Sequence, residues 1–201
     1  MRITQFRTRP QTAAARVLTS PKCESAIPVR DVLLRDAIVQ ASLDPAVLKI
    51  EVAPLPVPDP SLAVNALVVE RDGQRLLLDN RMAEKKKPRS IDDEGALLVA
   101  LEDLGLRLIE LDPREIRKEP RFTNCREVWR HHRHGVALGD RLQIMQALAE
   151  DGPQSIMKLA SRISPTVDVV ASVCSLACSN ILELELNERP LGPRTVVRER
   201  R

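Results

Sequence analysis

The stretch LAVNALVVERDGQRLLLDNR, residues 62–81, decides the fold class. Two runs rich in Leu and Val, LAVNALVVE and QRLLLDNR, flank Arg71-Asp72-Gly73. An Asp-Gly step between two apolar runs is a strong hairpin signal, because it supplies the positive φ angles that a tight primed turn requires. Upstream, VLKIEVAPLPV (47–57) alternates as a strand before a proline-rich turn at 54–60. Before it, VRDVLLRDAIVQASLDP carries apolar residues at 29, 32, 33, 37, 38 and 41, the spacing of a helix that ends near Asp44-Pro45.

Downstream, DDEGALLVALEDLGL (92–106) is a helix with acids in its first turn and Gly105 near its end, an arrangement that suits the helix dipole. RLIELD (107–112) returns as a strand. The order helix, strand, hairpin, helix, strand makes an α/β or α+β core.

The last third follows a different pattern. GDRLQIMQALAEDG, QSIMKLASRI and PTVDVVASVCSLACSN read as three helices, and LELEL and RTVVRER as a hairpin. Three helices and a hairpin are winged-helix architecture, which places a boundary near His134-Gly135. The expected organisation is a basic N-terminal arm over 1–27, an α/β domain over 28–134 and a winged-helix-like domain over 135–201.

Charge is unevenly spread along the 201 residues, whose net charge is +3. Residues 1–35 hold seven Lys/Arg against two acids, and residues 189–201 five against one, so the ends carry +5 and +4 and the stretch between them −6. Basic ends suit arms that track phosphates and release condensed counterions; solvated termini are the plainer alternative. Phe and Trp total three and Tyr is absent, so stacking on bases is not a main binding device. No apolar stretch approaches the roughly 20 residues of a membrane span, and no secretory signal opens the chain. Cys23, Cys125, Cys174 and Cys178 form no paired CxxC pattern. Together these features point to a cytoplasmic protein with reduced thiols. Cys174 and Cys178 share a helix face downstream of His131, His132 and His134, which leaves core packing and a zinc site as the two readings.

Three segments, LLRDAIVQASLDPAVLKIEVAPLPV, LVVERDGQRLLLDNR and IRKEPRFTNCREVWRHHRHGVALGDRLQIMQAL, together resemble the TnsA-type endonuclease subunit of heteromeric transposases over roughly residues 29–198. The resemblance implies a PD-(D/E)XK fold, a restriction-endonuclease-like mixed sheet with flanking helices, followed by a winged-helix-like domain. It also implies DNA, a transposase and a regulatory ATPase-type subunit as partners. In such a fold, carboxylates from the first helix and the two hairpin strands hold magnesium, and a lysine places the attacking water. By that resemblance the helix ligand falls on Leu34 beside Arg35-Asp36, the first hairpin carboxylate on Asn65, the second on Asp79, the lysine on Arg81 and a family glutamine on Ala53.

Leu34 binds no metal, Asn65 offers a neutral oxygen, and Arg81 stays protonated on a forked head. Asp79 is the one conventional ligand left, and Asp79 with Arg81 is the residual catalytic pair; Asp36, Glu51 and Glu70 are candidates to take over lost positions. As a plainer reading, Asp79 is a strand-end residue accepting hydrogen bonds in the following turn. No cofactor is expected, or Mg²⁺ if the site is active.

Candidate DNA contacts are Arg7 and Arg9 in the arm, Lys85, Lys86 and Lys87 in the loop after the hairpin, Arg130 and Arg133 in the connector, and Arg194 and Arg198 in the wing. The third helix of the last domain has no Lys or Arg, so base readout by it is not expected; its apolar face suits a protein partner, and the basic wing suits phosphate. Trp129 either covers a phosphate or base, or anchors an interdomain contact. The leading expectation is a DNA-associated accessory protein of a transposition or mobile-element system, with cleavage lost. An active metal-dependent endonuclease subunit and a non-enzymatic winged-helix DNA- or partner-binding regulator are the alternatives.

Overall fold

The computed structural model describes residues 16–29, 31–53, 66–79, 90–164 and 168–200. The predicted hairpin is β4 (Ala66–Arg71) and β5 (Gln74–Asp79), paired antiparallel. Its turn residues Asp72 and Gly73 have φ of 50° and 73°, the left-handed pair that the Asp-Gly step foretold. β3 (Val47–Ala53) adds antiparallel to β4, and β6 (Leu106–Glu110) adds parallel to β5, giving a four-stranded mixed sheet of order β3-β4-β5-β6. The parallel neighbour requires a crossover, which α2 (Ile91–Asp103) supplies.

Alternation along the strands divides the apolar residues between two faces. Val68, Leu77 and Leu106 pack with Leu97 and Leu101 of α2. On the other face, Ile50, Leu67 and Val69 join Ile38 and Val39 of α1 (Val32–Leu43) in the main core. The fold class is therefore a mixed sheet with flanking helices, as the order of elements suggested.

Residues 16–27, read from the sequence as part of an arm, are folded: β1 (Arg16–Leu18) pairs with β2 (Ile27–Val29), and Leu18 and Ile27 are buried. The turn between them reaches the free edge of β3, where Ile50 N–H donates to the Lys22 carbonyl (2.8 Å). Pro21 interrupts a regular element without preventing burial, and a basic residue inside this turn, Lys22, is only 4% exposed. Residues 1–15 lie outside the described part of the chain.

The stretch read as a connector is largely helical: a short α3 (Pro113–Ile116) and then α4 (Arg121–Arg130). Phe122, Cys125, Val128 and Trp129 recur at helical spacing among many charges, a signal present in the sequence. The C-terminal stretch has α5 (Leu138–Asp151), β7 (Gln154–Ser155), α6 (Ile156–Arg162), α7 (Val169–Cys178), β8 (Leu182–Leu184) and β9 (Val196–Glu199). The last strand lies between the other two in an antiparallel sheet of order β7-β9-β8. The main core is continuous across His134-Gly135: Ile38, Ile50, Val128 and Trp129 belong to the same cluster as Ile144, Leu159, Val173 and Val197.

The Asp44-Pro45 turn ties these parts together. Asp44, 7% exposed, takes the Ala46 N–H on Oδ1 (3.0 Å) and Arg121 Nη2 on Oδ2 (3.1 Å). Arg121 also donates to Gln40 Oε1 (3.2 Å) and Asn187 Oδ1 (2.9 Å), joining α1, α4 and the C-terminal loop. Lys22 Nζ donates to the Asp44 and Ala41 carbonyls at the C-terminal end of α1, where a cation meets the negative pole of the helix dipole. Arg200 Nη2 donates to the Pro45 carbonyl (2.8 Å).

Asp44→Ala removes the carboxylate that Arg121 grips and that lies near the buried Lys22, and is expected to lower the unfolding free energy by about 2 kcal/mol. Arg71→Ala removes only a half-exposed partner 3.7 Å away and is expected to cost less than about 1 kcal/mol, both read by urea unfolding. Burial, with Arg200 second, lowers the Lys22 pKa from 10.5 to about 8. Between those values the unfolded chain holds the extra proton, so Lys22 makes stability rise with pH across that window, by at most about 1.4 kcal/mol per pH unit. The difference between wild type and Lys22→Met in unfolding free energy, measured from pH 7.5 to 10.5, is expected to show this slope.

Candidate functional site

Asp79 ends β5 at 1% exposure, in register with Glu110, and its carbonyl accepts the Leu111 N–H (2.9 Å). Alternation turns Asp79 to the α2 side of the sheet with Leu77. Leu34 is half-buried on the other side, where Leu34 and Leu78 both pack against Leu33, Ala37 and Leu111. The first-helix position is therefore part of an apolar contact layer, and Asp79 stands across the sheet from it. Asn65 and Arg81, the other expected catalytic positions, lie outside the described residues.

The acids considered as replacements do not converge. Asp36 is buried on α1, and burial raises its carboxyl above the usual range against the pull of Arg126, Arg35 and Arg117. Glu51 lies across the sheet, gripped by Lys49 Nζ (2.6 Å) and Arg75 Nη2 (3.2 Å). The hydrogen bond from Lys49 holds its carboxyl below the usual range against the opposing effect of burial, with a smaller contribution from the Arg75 hydrogen bond. Glu70 lines a small pocket with Lys49, Glu51 and Arg75 on the α2 side. Among the described residues no group of three or more His, Cys, Asp or Glu side chains is placed to hold a metal ion. An apolar Leu34 and acids that do not converge do not fit magnesium's need for hard oxygens around one point.

The cysteines belong to the core. Cys125, Cys174 and Cys178 are buried, and burial pushes their thiols up to about 11, 12 and 12. Cys178 Sγ donates to the Val128 carbonyl (3.5 Å), fastening α7 to α4. Every α7 residue except Val170 is buried, and Ser175 Oγ donates to the His134 carbonyl (2.6 Å). The partner of this apolar helix is the chain itself, chiefly α4, so α7 is closed to a DNA groove.

Of the expected DNA contacts, Arg7, Arg9, Lys85, Lys86 and Lys87 lie outside the described residues. Arg130 pairs with Glu127 (2.7 Å) and Arg198 with Glu183 (3.5 Å), both at the surface. Arg133 and Arg194 are exposed in separate places, one at the end of α4 and the other in the loop before β9. That loop is pinned. Asn124 Nδ2 donates to the Leu186 and Arg189 carbonyls (2.8 and 2.7 Å), and its Oδ1 accepts the Leu191 N–H (2.8 Å). The N–H groups of Ile156 and Met157 donate to the Thr195 and Pro193 carbonyls.

A cleft of ≈ 680 Å³ opens between β1, the turn after it, α1 and the ends of α4 and α7. Its charged lining is entirely basic, Arg35 and Arg133, and His132 stands beside them. His132 stacks flat on Trp129 with ring centroids 5.1 Å apart and an interplanar angle of 6°. Its Nδ1 lies 2.7 Å from the Trp129 carbonyl, so the ring is fixed by two contacts. Trp129 itself is 7% exposed and belongs to the main core. Sequence reasoning missed Arg35 as a member of this cleft, because only the fold brings α1 beside the end of α4.

No protein-family model, no curated protein and no solved structure matches the chain.

In the folded state at pH 8, Cys125, Cys174 and Cys178 are expected to resist a thiol-disulfide reagent such as Ellman's reagent while the half-buried Cys23 reacts first. All four are expected to titrate rapidly in guanidinium.

Proposed function

We propose that the protein is a DNA-associated accessory protein of a transposition or mobile-element system, a nuclease-like scaffold that binds DNA without cutting it. One local arrangement on α1 carries the reading. The position that the TnsA resemblance makes a metal ligand is Leu34 in an apolar layer, and the next residue, Arg35, lines a cleft whose charged groups are all basic. Cation without carboxylate suits holding phosphate and does not suit activating water on a metal.

Topology supports the same frame. Helix α1, the β3-β4-β5 meander, crossover helix α2 and parallel β6 follow the order that the resemblance implies. The order α5, β7, α6, α7, β8, β9 suits a winged helix, with the loop before β9 as its wing. With α7 buried, that wing is left to position the duplex through Arg194, a phosphate contact that carries no base readout. A transposase and a regulatory ATPase-type subunit are the partners this reading proposes.

Electrophoretic shifts across a salt series are expected to show a steep fall of affinity with salt, and Arg194→Ala to reduce the log–log slope by about 1. Incubation of supercoiled plasmid with Mg²⁺ or Mn²⁺ is expected to leave it intact. Chelator-sensitive nicking that Asp79→Ala abolishes, or a salt slope near zero, would overturn the reading.

A further inference from the structure

We propose that the cleft lined by Arg35, His132 and Arg133 is a phosphomonoester site, and that on DNA it seats the terminal phosphate of a strand. The phosphomonoester chemistry comes from the cleft itself. Only its source, a DNA end, rests on the reading of the protein as DNA-associated.

Size and shape exclude the body of a duplex. A volume of ≈ 680 Å³ lies in the range of about 300–1,000 Å³ typical of small-ligand pockets. Internal phosphates of a duplex lie on a convex surface that such a concavity does not follow, whereas a strand end or a mononucleotide enters it.

Charge selects the monoester. A phosphomonoester carries between one and two negative charges near neutral pH, with three terminal oxygens, whereas an internal diester carries one charge and two free oxygens. Two guanidinium groups, Arg35 and Arg133, and no carboxylate line the cleft, with His132 beside them. Neither Arg35 nor Arg133 forms an ion pair among the described residues, in contrast to Arg121, Arg130, Arg162 and Arg198, each matched to an acid. Guanidinium forks fit phosphate oxygens bidentately. The stack on Trp129 and the Trp129 carbonyl hold the His132 ring before any ligand arrives, so little ordering is needed to bind. Beside these cations the lining includes Trp129 and Val17, the latter 59% exposed, an apolar wall for the sugar or base that the phosphate carries.

The test uses the full chain and fluorescence anisotropy on one duplex sequence with 5′-phosphate, 3′-phosphate or hydroxyl ends, with dAMP and deoxyadenosine as competitors. A phosphorylated end is expected to bind about tenfold more tightly than a hydroxyl end, as a set of charge-assisted hydrogen bonds implies. Competition is expected from dAMP and not from deoxyadenosine. Arg35→Ala and Arg133→Ala, both at exposed positions, are expected to bring the phosphorylated duplex down to the affinity of the hydroxyl-ended one, with circular dichroism unchanged. Equal affinity for all ends, or a preference that survives in the double variant, overturns the proposal. DNA binding with no end preference and no dAMP competition sinks the cleft assignment and leaves DNA association standing. Direct calorimetric binding of dAMP, lost in the variants, by a protein that shifts no DNA supports the cleft and removes the DNA reading.

Discussion

Asp44 closes α1 with a carboxylate that the rest of the chain buries, and a buried carboxylate is tolerable only when cations and N–H groups meet it. Arg121 from α4 meets its oxygen, and Lys22 and Arg200 meet the carbonyls of the same turn. These three cations come from distant parts of the sequence: the β1–β2 turn, the start of α4 and the last described residue. Each has to find one turn, so the turn sets the arrangement of the N-terminal hairpin, the mixed sheet and the C-terminal elements. Removing the carboxylate leaves the cations facing one another without a counter-charge, which makes the cluster a constraint on the whole fold more than a sum of separate contacts.

The same packing determines what chemistry is left. Helix α4 brings Trp129, His132 and Arg133 against the N-terminal hairpin and α1, and Arg35 completes the cleft. The sheet meanwhile separates Asp79 and Glu51 from Asp36, and Glu51 is neutralised by Lys49 and Arg75. The acids are dispersed, while Arg35 and Arg133 line one concavity.

Burial of α7 has a functional consequence of its own. A helix composed as VVASVCSLAC suits either a partner surface or a core, and in this fold α4 and the surrounding elements of the same chain cover it. The neighbouring loop is held by Asn124 and by the first turn of α6, which presents Arg189 and Arg194 on a braced segment. Basic side chains that reach solvent without desolvation lie in loops and at helix ends.

Local chemistry in the sequence was enough to define the hairpin, its Asp-Gly turn, the flanking helices and the mixed α and β character, because alternation, helical spacing and positive-φ residues are properties of neighbouring residues. It also identified Leu34 as unable to bind metal, a matter of side-chain type alone. It understated α4, where charged residues mask the spacing of Phe122, Cys125, Val128 and Trp129, and it treated residues 16–27 as part of an arm although Lys22 is buried there. Tertiary structure alone decided that Asp44 joins Lys22, Arg121 and Arg200, that α7 faces inward, and that Arg35 shares a cleft with His132 and Arg133. Those pairings span separations of about 20 to 160 residues. No local pattern encodes which distant cation will meet a given carboxylate, since that depends on which apolar faces pack first and where they leave polar groups to be matched.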